Sequence, residues 1–167
     1  MTKSENDLKA AFAGESQANR KYLAFAKKAD KDGFPQVAKL FRTAAAAETK
    51  HAHKHLDVLR GIKDTIDNLK AAVEGEHYEL SKMYPDFIKD AEDEGNQAAA
   101  MSFNAALAAE KVHHKLYEEA VKAVEGGKDL ETTDYYVCSV CGMTFEGAAP
   151  DKCPVCGAPK DKIDKIE

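Results

Sequence analysis

Apolar side chains recur every three or four residues through most of the chain before Gly126, the spacing of helices that each bury one stripe. From about Ser4 to Asp32, Leu8, Phe12, Leu23 and Phe25 stand among charged residues, which predicts one long helix. Gly33-Phe34-Pro35 interrupts it, with Pro35 suited to the first turn of a second helix reaching about Arg60, ahead of Gly61. A third helix is predicted from near Thr65 to Glu94, closed by Gly95, with a kink at Pro85. The fourth covers about Asn96 to Val124 and stops at Gly126-Gly127. The polar stretch from Lys128 to Asp134 reads as a linker.

The helical part repeats itself. Ala10-Ala11-Phe12-Ala13-Gly14-Glu15 matches Ala71-Ala72-Val73-Glu74-Gly75-Glu76 at an offset of 61. Gly33 matches Gly95, and Ala46-Ala47-Glu48 matches Ala108-Ala109-Glu110, both at an offset of 62. Two copies of a helical hairpin imply a pseudo-twofold four-helix bundle, since a solenoid needs at least three units.

Within the repeat lie Glu48-Thr49-Lys50-His51 and Glu110-Lys111-Val112-His113. Helical residues at i and i+3 share a face, so each word presents a carboxylate and an imidazole together. Two such helices, with a glutamate from each of two others, are the ligand set of dinuclear carboxylate bundles as a class. The repeat pairs Glu15 with Glu76, Glu48 with Glu110 and His51 with His113. A lone glutamate is ordinarily a solvated helix former. Glu48 and Glu110, however, follow Ala44-Ala45-Ala46-Ala47 and Ala105-Ala106-Leu107-Ala108-Ala109, tracts suited to close packing. Carboxylates converging there are costly to ionise unless cations hold them deprotonated. The mixture of carboxylate and imidazole favours iron or manganese.

Glu79 breaks the symmetry: it lies three residues after Glu76, where the first repeat has Ala18. It reads either as a surface residue or as a spare carboxylate that, with His51, lets one metal change ligands with oxidation state. Tyr22 and Tyr84, two helical turns beyond Glu15 and Glu76, are either core aromatics or phenol donors to ligands or bound oxidant. His51 and His55 have a spacing that can also bind zinc, but that reading ignores the repeat.

A net charge of -5 gives no support for nucleic-acid binding, which calls for a basic excess. The start, Met1-Thr2-Lys3-Ser4-Glu5-Asn6-Asp7, lacks the apolar core of a secretory signal, and no apolar run approaches the ~20 residues of a membrane span. A cytoplasmic location, with no membrane partner, is expected. All four cysteines fall near the end of the chain, as Cys138-x-x-Cys141 and Cys153-x-x-Cys156, each pair followed by glycine. In a reducing compartment such pairs are metal ligands rather than disulfides. Four thiolates in a tetrahedron bind zinc or iron. Beside a redox-capable dinuclear bundle, a single iron there can relay one electron at a time. Tyr135, Tyr136 and Phe145 are expected to form its miniature core.

With these motifs the chain resembles a rubrerythrin, a ferritin-like diiron bundle fused to a C-terminal rubredoxin-type domain. The resemblance covers essentially the whole sequence. It rests on Gly14-Glu15-Ser16-Gln17-Ala18, Glu48-x-x-His51, Gly75-Glu76-x-x-Glu79 with Met83-Tyr84-Pro85, Glu110-x-x-His113, and both cysteine knuckles. It implies an all-α ferritin-like four-helix bundle over residues 1–127, a linker at 128–133, and a rubredoxin-like metal-knuckle domain at 134–167. It assigns two iron ions to Glu15, Glu48, His51, Glu76, Glu79, Glu110 and His113, and one iron to Cys138, Cys141, Cys153 and Cys156, where zinc is a possible substitute. The implied activity is reduction of hydrogen peroxide to water, as an oxidative-stress defence, with electrons passing through the cysteine-bound iron. An external donor, such as a rubredoxin or an NAD(P)H-dependent reductase, would supply them. Catalytic roles are expected for Glu79, Tyr22 and Tyr84. One departure is the absence of tryptophan, for which Tyr135 or Tyr136 is expected to substitute.

The other departure is the short segment between the second and third helices. In a ferritin-like bundle these helices run parallel, so their link must climb back along the bundle. Helix rise gives roughly 15 Å from His51 to Arg60 and again from Thr65 to Glu76, about 30 Å in all. The residues between Arg60 and Thr65 reach only about 14 Å when extended. A swapped homodimer is expected, joining Glu15, Glu48 and His51 to the partner's Glu76, Glu79, Glu110 and His113. Two other functions compete: an iron-oxidising, iron-handling ferritin-like protein, and a non-catalytic electron carrier or zinc-stabilised adaptor.

Overall fold

A computed structural model describes residues 2–167. The chain divides into two compact units, Met1–Lys63 and Asp64–Glu167.

The first unit is a helical hairpin of α1 (Lys3–Lys31) and α2 (Pro35–Val58). Thr2 and Glu5 cap each other's backbone at the start of α1, satisfying donors that the first turn leaves free. The hairpin closes at Gly33, whose φ of +85° lets Phe34 N–H donate back to Ala29 O at 2.8 Å. The helices meet through Ala26, Ala29 and Ala38, with Phe41 packed alongside. Such small residues let backbones approach closely. Asn19 then fastens the contact, donating from Nδ2 to Ala45 O at 2.7 Å and to Thr49 Oγ1 at 2.9 Å.

The second unit contains α3 (Thr65–Tyr78), a π-turn (Glu79–Met83), α4 (Tyr84–Asp93) and α5 (Gln97–Glu125). Asp64 caps α3 and Asn96 caps α5. Gly95 repeats the device at Gly33: its φ is +69°, and Asn96 N–H donates to Ala91 O at 2.8 Å. The kink expected at Pro85 takes a different form. The backbone widens just ahead of the proline, where Tyr84 N–H donates to Glu79 O, five residues back. A proline ring clashes with the carbonyl four residues earlier in a regular helix, and the wider turn accommodates it. A π-turn is one inserted residue. That is the one-residue difference between the 61 offset before it and the 62 offset after it.

The chain ends in a three-stranded antiparallel sheet of β1 (Tyr135–Cys138), β2 (Thr144–Glu146) and β3 (Ile163–Ile166), ordered β2-β1-β3. Its core is Cys138, Cys153, Ala158 and Ile163, with Tyr136, Met143 and Phe145 packed on it. Tyr136 and Phe145 fill the expected places, but Tyr135 does not. Successive strand residues point to opposite faces, so Tyr135 turns away from the core that Tyr136 joins.

Candidate metal centres

Among the described residues, three groups of metal-competent side chains converge. In the first unit, Glu15 comes from α1, and Glu48 and His51 from α2. His51 Nδ1 donates to Glu48 Oε2 at 2.8 Å and lies 3.8 Å from Glu15 Oε1. In the second unit, Glu76 comes from α3, and Glu110 and His113 from α5. His113 Nδ1 donates to Glu110 Oε2 at 2.7 Å and lies 3.7 Å from Glu76 Oε2. In each group the ligand atoms lie within 4.8 Å of one another.

The electrostatics of the second group suit a cation. Among the described residues, the buried Glu76 Oε2 has no hydrogen-bond partner. Burial, then the neighbouring Glu110 carboxyl and Glu79, push the Glu76 pKa up to about 7. Glu79 is likewise raised, by burial and by Glu110, while His113 pulls it back. Carboxylates that repel protons' departure so strongly, gathered around imidazole nitrogen, fit a divalent metal. Glu79 thus sits within electrostatic reach of Glu110 and His113, although it is not in the close group of three.

The tyrosines differ in their surroundings. Tyr84 is raised by burial and by Glu110, Glu79 and Glu76, so its phenol keeps its proton beside the carboxylates. Tyr22 packs against Phe25 and Phe41, with ring centroids 6.4 and 6.1 Å away. His55 joins no close group of ligand atoms among the described residues.

The cysteines form the third group, with Cys138 Sγ 3.6 Å from Cys156 Sγ and Cys141 Sγ 3.7 Å from Cys153 Sγ. The knuckles are copies of one another. Gly142 N–H donates to Cys138 O and Gly157 N–H to Cys153 O, and both glycines take φ near +80° (81° and 77°), which a side chain would resist. This turn aims backbone amides at sulfur. Burial raises Cys153, but the amides of Cys156 and Val155 outweigh it and bring the thiol down to about 7. Burial pushes Cys141 up to about 12, against an amide from Met143. Four thiols so close cannot all ionise by themselves, and a tetrahedrally bound cation lets them do so.

Two contributors had no sequence signal. Asn19 sits among ordinary helical polar residues, yet it is buried and clamps α1 to α2. Thr144 Oγ1 lies 2.7 Å from His113 Nε2, a contact between residues 31 apart that no local pattern announces.

Comparison with known proteins identifies the family. The family model Rubrerythrin matches residues 6–121, and the model Rubrerythrin, rubredoxin-like domain, matches residues 136–164. Rubrerythrin-2 of Clostridium acetobutylicum is 34% identical, over 93% of this chain and 92% of its own length. Nigerythrin of Nitratidesulfovibrio vulgaris is 38% identical, over 93% of this chain and 82% of its own. Rubrerythrin of the same organism is 35% identical, over 95% and 92%. Among solved structures, nigerythrin in a mixed-valence state is similar with a TM-score of 0.56 and 35% identity, covering 99% of this chain and 88% of that one. Another nigerythrin structure, described as fully reduced and all ferrous, is similar to the same degree, with a TM-score of 0.56 and 34% identity.

Proposed function

The chain belongs to the rubrerythrin family, with diiron-type ligand groups in its helices and a four-cysteine rubredoxin-like site, and on that premise we propose that it is a cytoplasmic peroxidase. The reaction consumes one hydrogen peroxide, two electrons and two protons and yields two waters. A pair of ferrous ions held by the bundle carboxylates and histidines would supply both electrons together. The observation that carries the reading is the pairing of two matching Glu, Glu, His groups with a four-cysteine site in one chain.

The roles follow from position. Glu15, Glu48, His51, Glu76, Glu110 and His113 would hold the ion pair. Glu79 is the spare carboxylate that offsets added positive charge on oxidation. Tyr84, kept protonated beside the carboxylates, offers an O–H to the oxidant, and Tyr22 is its counterpart in the first hairpin. Cys138, Cys141, Cys153 and Cys156 would hold an iron ion, which would supply one-electron relay from an external donor such as a rubredoxin or an NAD(P)H-dependent reductase.

Each hairpin supplies only half of the ion-pair ligands, and the site is completed by a second copy of the chain. At the end of α2 the amides of Leu59, Arg60 and Gly61 bond back to His55, Asp57 and Leu56, so the chain through Gly61 stays wound onto the helix end. From Gly61 to Thr65 the link reaches only about 14 Å. Closing the bundle within one chain requires about 30 Å. A swapped homodimer meets the requirement without unwinding either helix.

The test is anaerobic reduction of iron-loaded protein followed by one addition of peroxide, watched by visible absorbance. The ferric colour should return quickly, and much faster than with air. Return that is faster with air, or absent with peroxide, rejects the peroxidase reading.

A further inference from the structure

The two histidines of the matching groups are held differently on their far sides. Among the described residues His51 bonds only to its own group's carboxylates, and its side chain is 56% exposed. His113 is 31% exposed, and its second nitrogen, Nε2, lies 2.7 Å from the hydroxyl of Thr144 on β2. Histidines that bind metal through one nitrogen characteristically present the other to a hydrogen-bond partner, which fixes the ring.

We propose that Thr144 is a positioning residue for the bundle metal site, holding the His113 ring with its Nδ1 toward Glu76 and Glu110 and tying the cysteine module to that ligand. The inference rests on the diiron reading. Its chemistry suits a hydroxyl in particular. Without metal, His113 Nδ1–H donates to Glu110, so Nε2 can accept from Thr144 Oγ1–H. When Nδ1 gives its lone pair to a metal, the ring proton moves to Nε2, and the same hydroxyl can accept. An obligate donor or acceptor would satisfy only one of the two states. Thr144 is itself anchored. It follows Met143, whose carbonyl accepts from Cys138 N–H at 2.9 Å, so one residue and one backbone bond separate the histidine's partner from a cysteine of the knuckle.

The experiment compares the full-length parent with Thr144→Val, which keeps the shape and removes the hydroxyl, and Thr144→Ser, which keeps the hydroxyl. Each carries iron at the cysteines, whose visible spectrum reports that the module is folded. Anaerobic competition titration then measures Mn²⁺ affinity at the bundle. Thr144→Val should bind roughly tenfold more weakly, while Thr144→Ser matches the parent. With Co²⁺ bound in place of Mn²⁺, an exchangeable imidazole N–H resonance, shifted by that fast-relaxing ion, should persist in the serine variant and disappear in the valine variant. The proposal is overturned if the valine variant binds as tightly as the parent with that resonance intact, or if serine loses as much as valine. A parent that binds no pair of ions overturns the diiron reading itself, a distinguishable result.

Discussion

The α1–α2 hairpin and the hairpin of α3, α4 and α5 repeat the same parts with different backing. Their histidine-to-carboxylate distances are 2.8 and 3.8 Å in one and 2.7 and 3.7 Å in the other. The aromatic cluster recurs as well. Tyr22, Phe25 and Phe41 correspond at an offset of 62 to Tyr84, Phe87 and Phe103, with closest ring centroids of 5.6 and 5.5 Å. What differs lies around these parts. The first hairpin has the Asn19 clamp where the second has Leu80 at the matching offset of 61. The second has a π-turn, Glu79 in place of Ala18, and a threonine braced on its histidine. Duplication thus fixed the ligand geometry, and the asymmetric chemistry is confined to one copy.

The largest test of this comparison removes one central carboxylate from either copy. Glu48→Ala and Glu110→Ala should each lower iron from about three per chain to about one, the cysteine-bound ion remaining. Metal analysis with visible absorbance checks this. Iron retained in the bundle of either variant would mean that the copies bind metal independently. Mixing chains sharpens the point. If the homodimer is swapped as proposed, a chain lacking Glu15, Glu48 and His51, refolded with one lacking Glu76, Glu110 and His113, should rebuild one intact site in a heterodimer. That heterodimer should recover roughly half of the parent dimer's turnover, whereas unswapped chains recover none.

Glu79→Ala makes the second copy resemble the first. Both bundle irons should remain while peroxide turnover slows roughly tenfold, measured by stopped-flow absorbance, and unchanged kinetics would remove the spare-carboxylate role. Asn19→Ala should cost the first hairpin about 2 kcal/mol, read by denaturant unfolding of metal-free protein.

The smallest effect is in pH. The native Glu76 pKa is raised from 4.5 to about 7, so folded metal-free protein holds a proton that the unfolded chain has released between those values. The contribution is therefore present below pH 4.5 and lost as pH rises through about 7. Unfolding of the metal-free parent should become easier across that window, and Glu76→Gln should flatten the trend.

Four helices, two knuckles and the paired ligands were legible because helical period, turn glycines and Glu-x-x-His spacing are local patterns. The π-turn was not read from the sequence, where Pro85 predicts a simple kink; the change of repeat offset from 61 to 62 is its trace. Tyr135 and Tyr136 could not be told apart by type, since strand register decides which one faces the core.

Sequence alone determined the chemistry that could gather: which carboxylates, imidazoles and thiols lie one helical turn or one knuckle apart, and that each set occurs twice. Only the tertiary structure decided what stands behind each ligand, because Asn19 reaches Ala45 and Thr144 reaches His113 across elements distant in the chain. Short-range periodicity is written into neighbouring residues, whereas a hydrogen bond between remote side chains exists only once packing has brought them together.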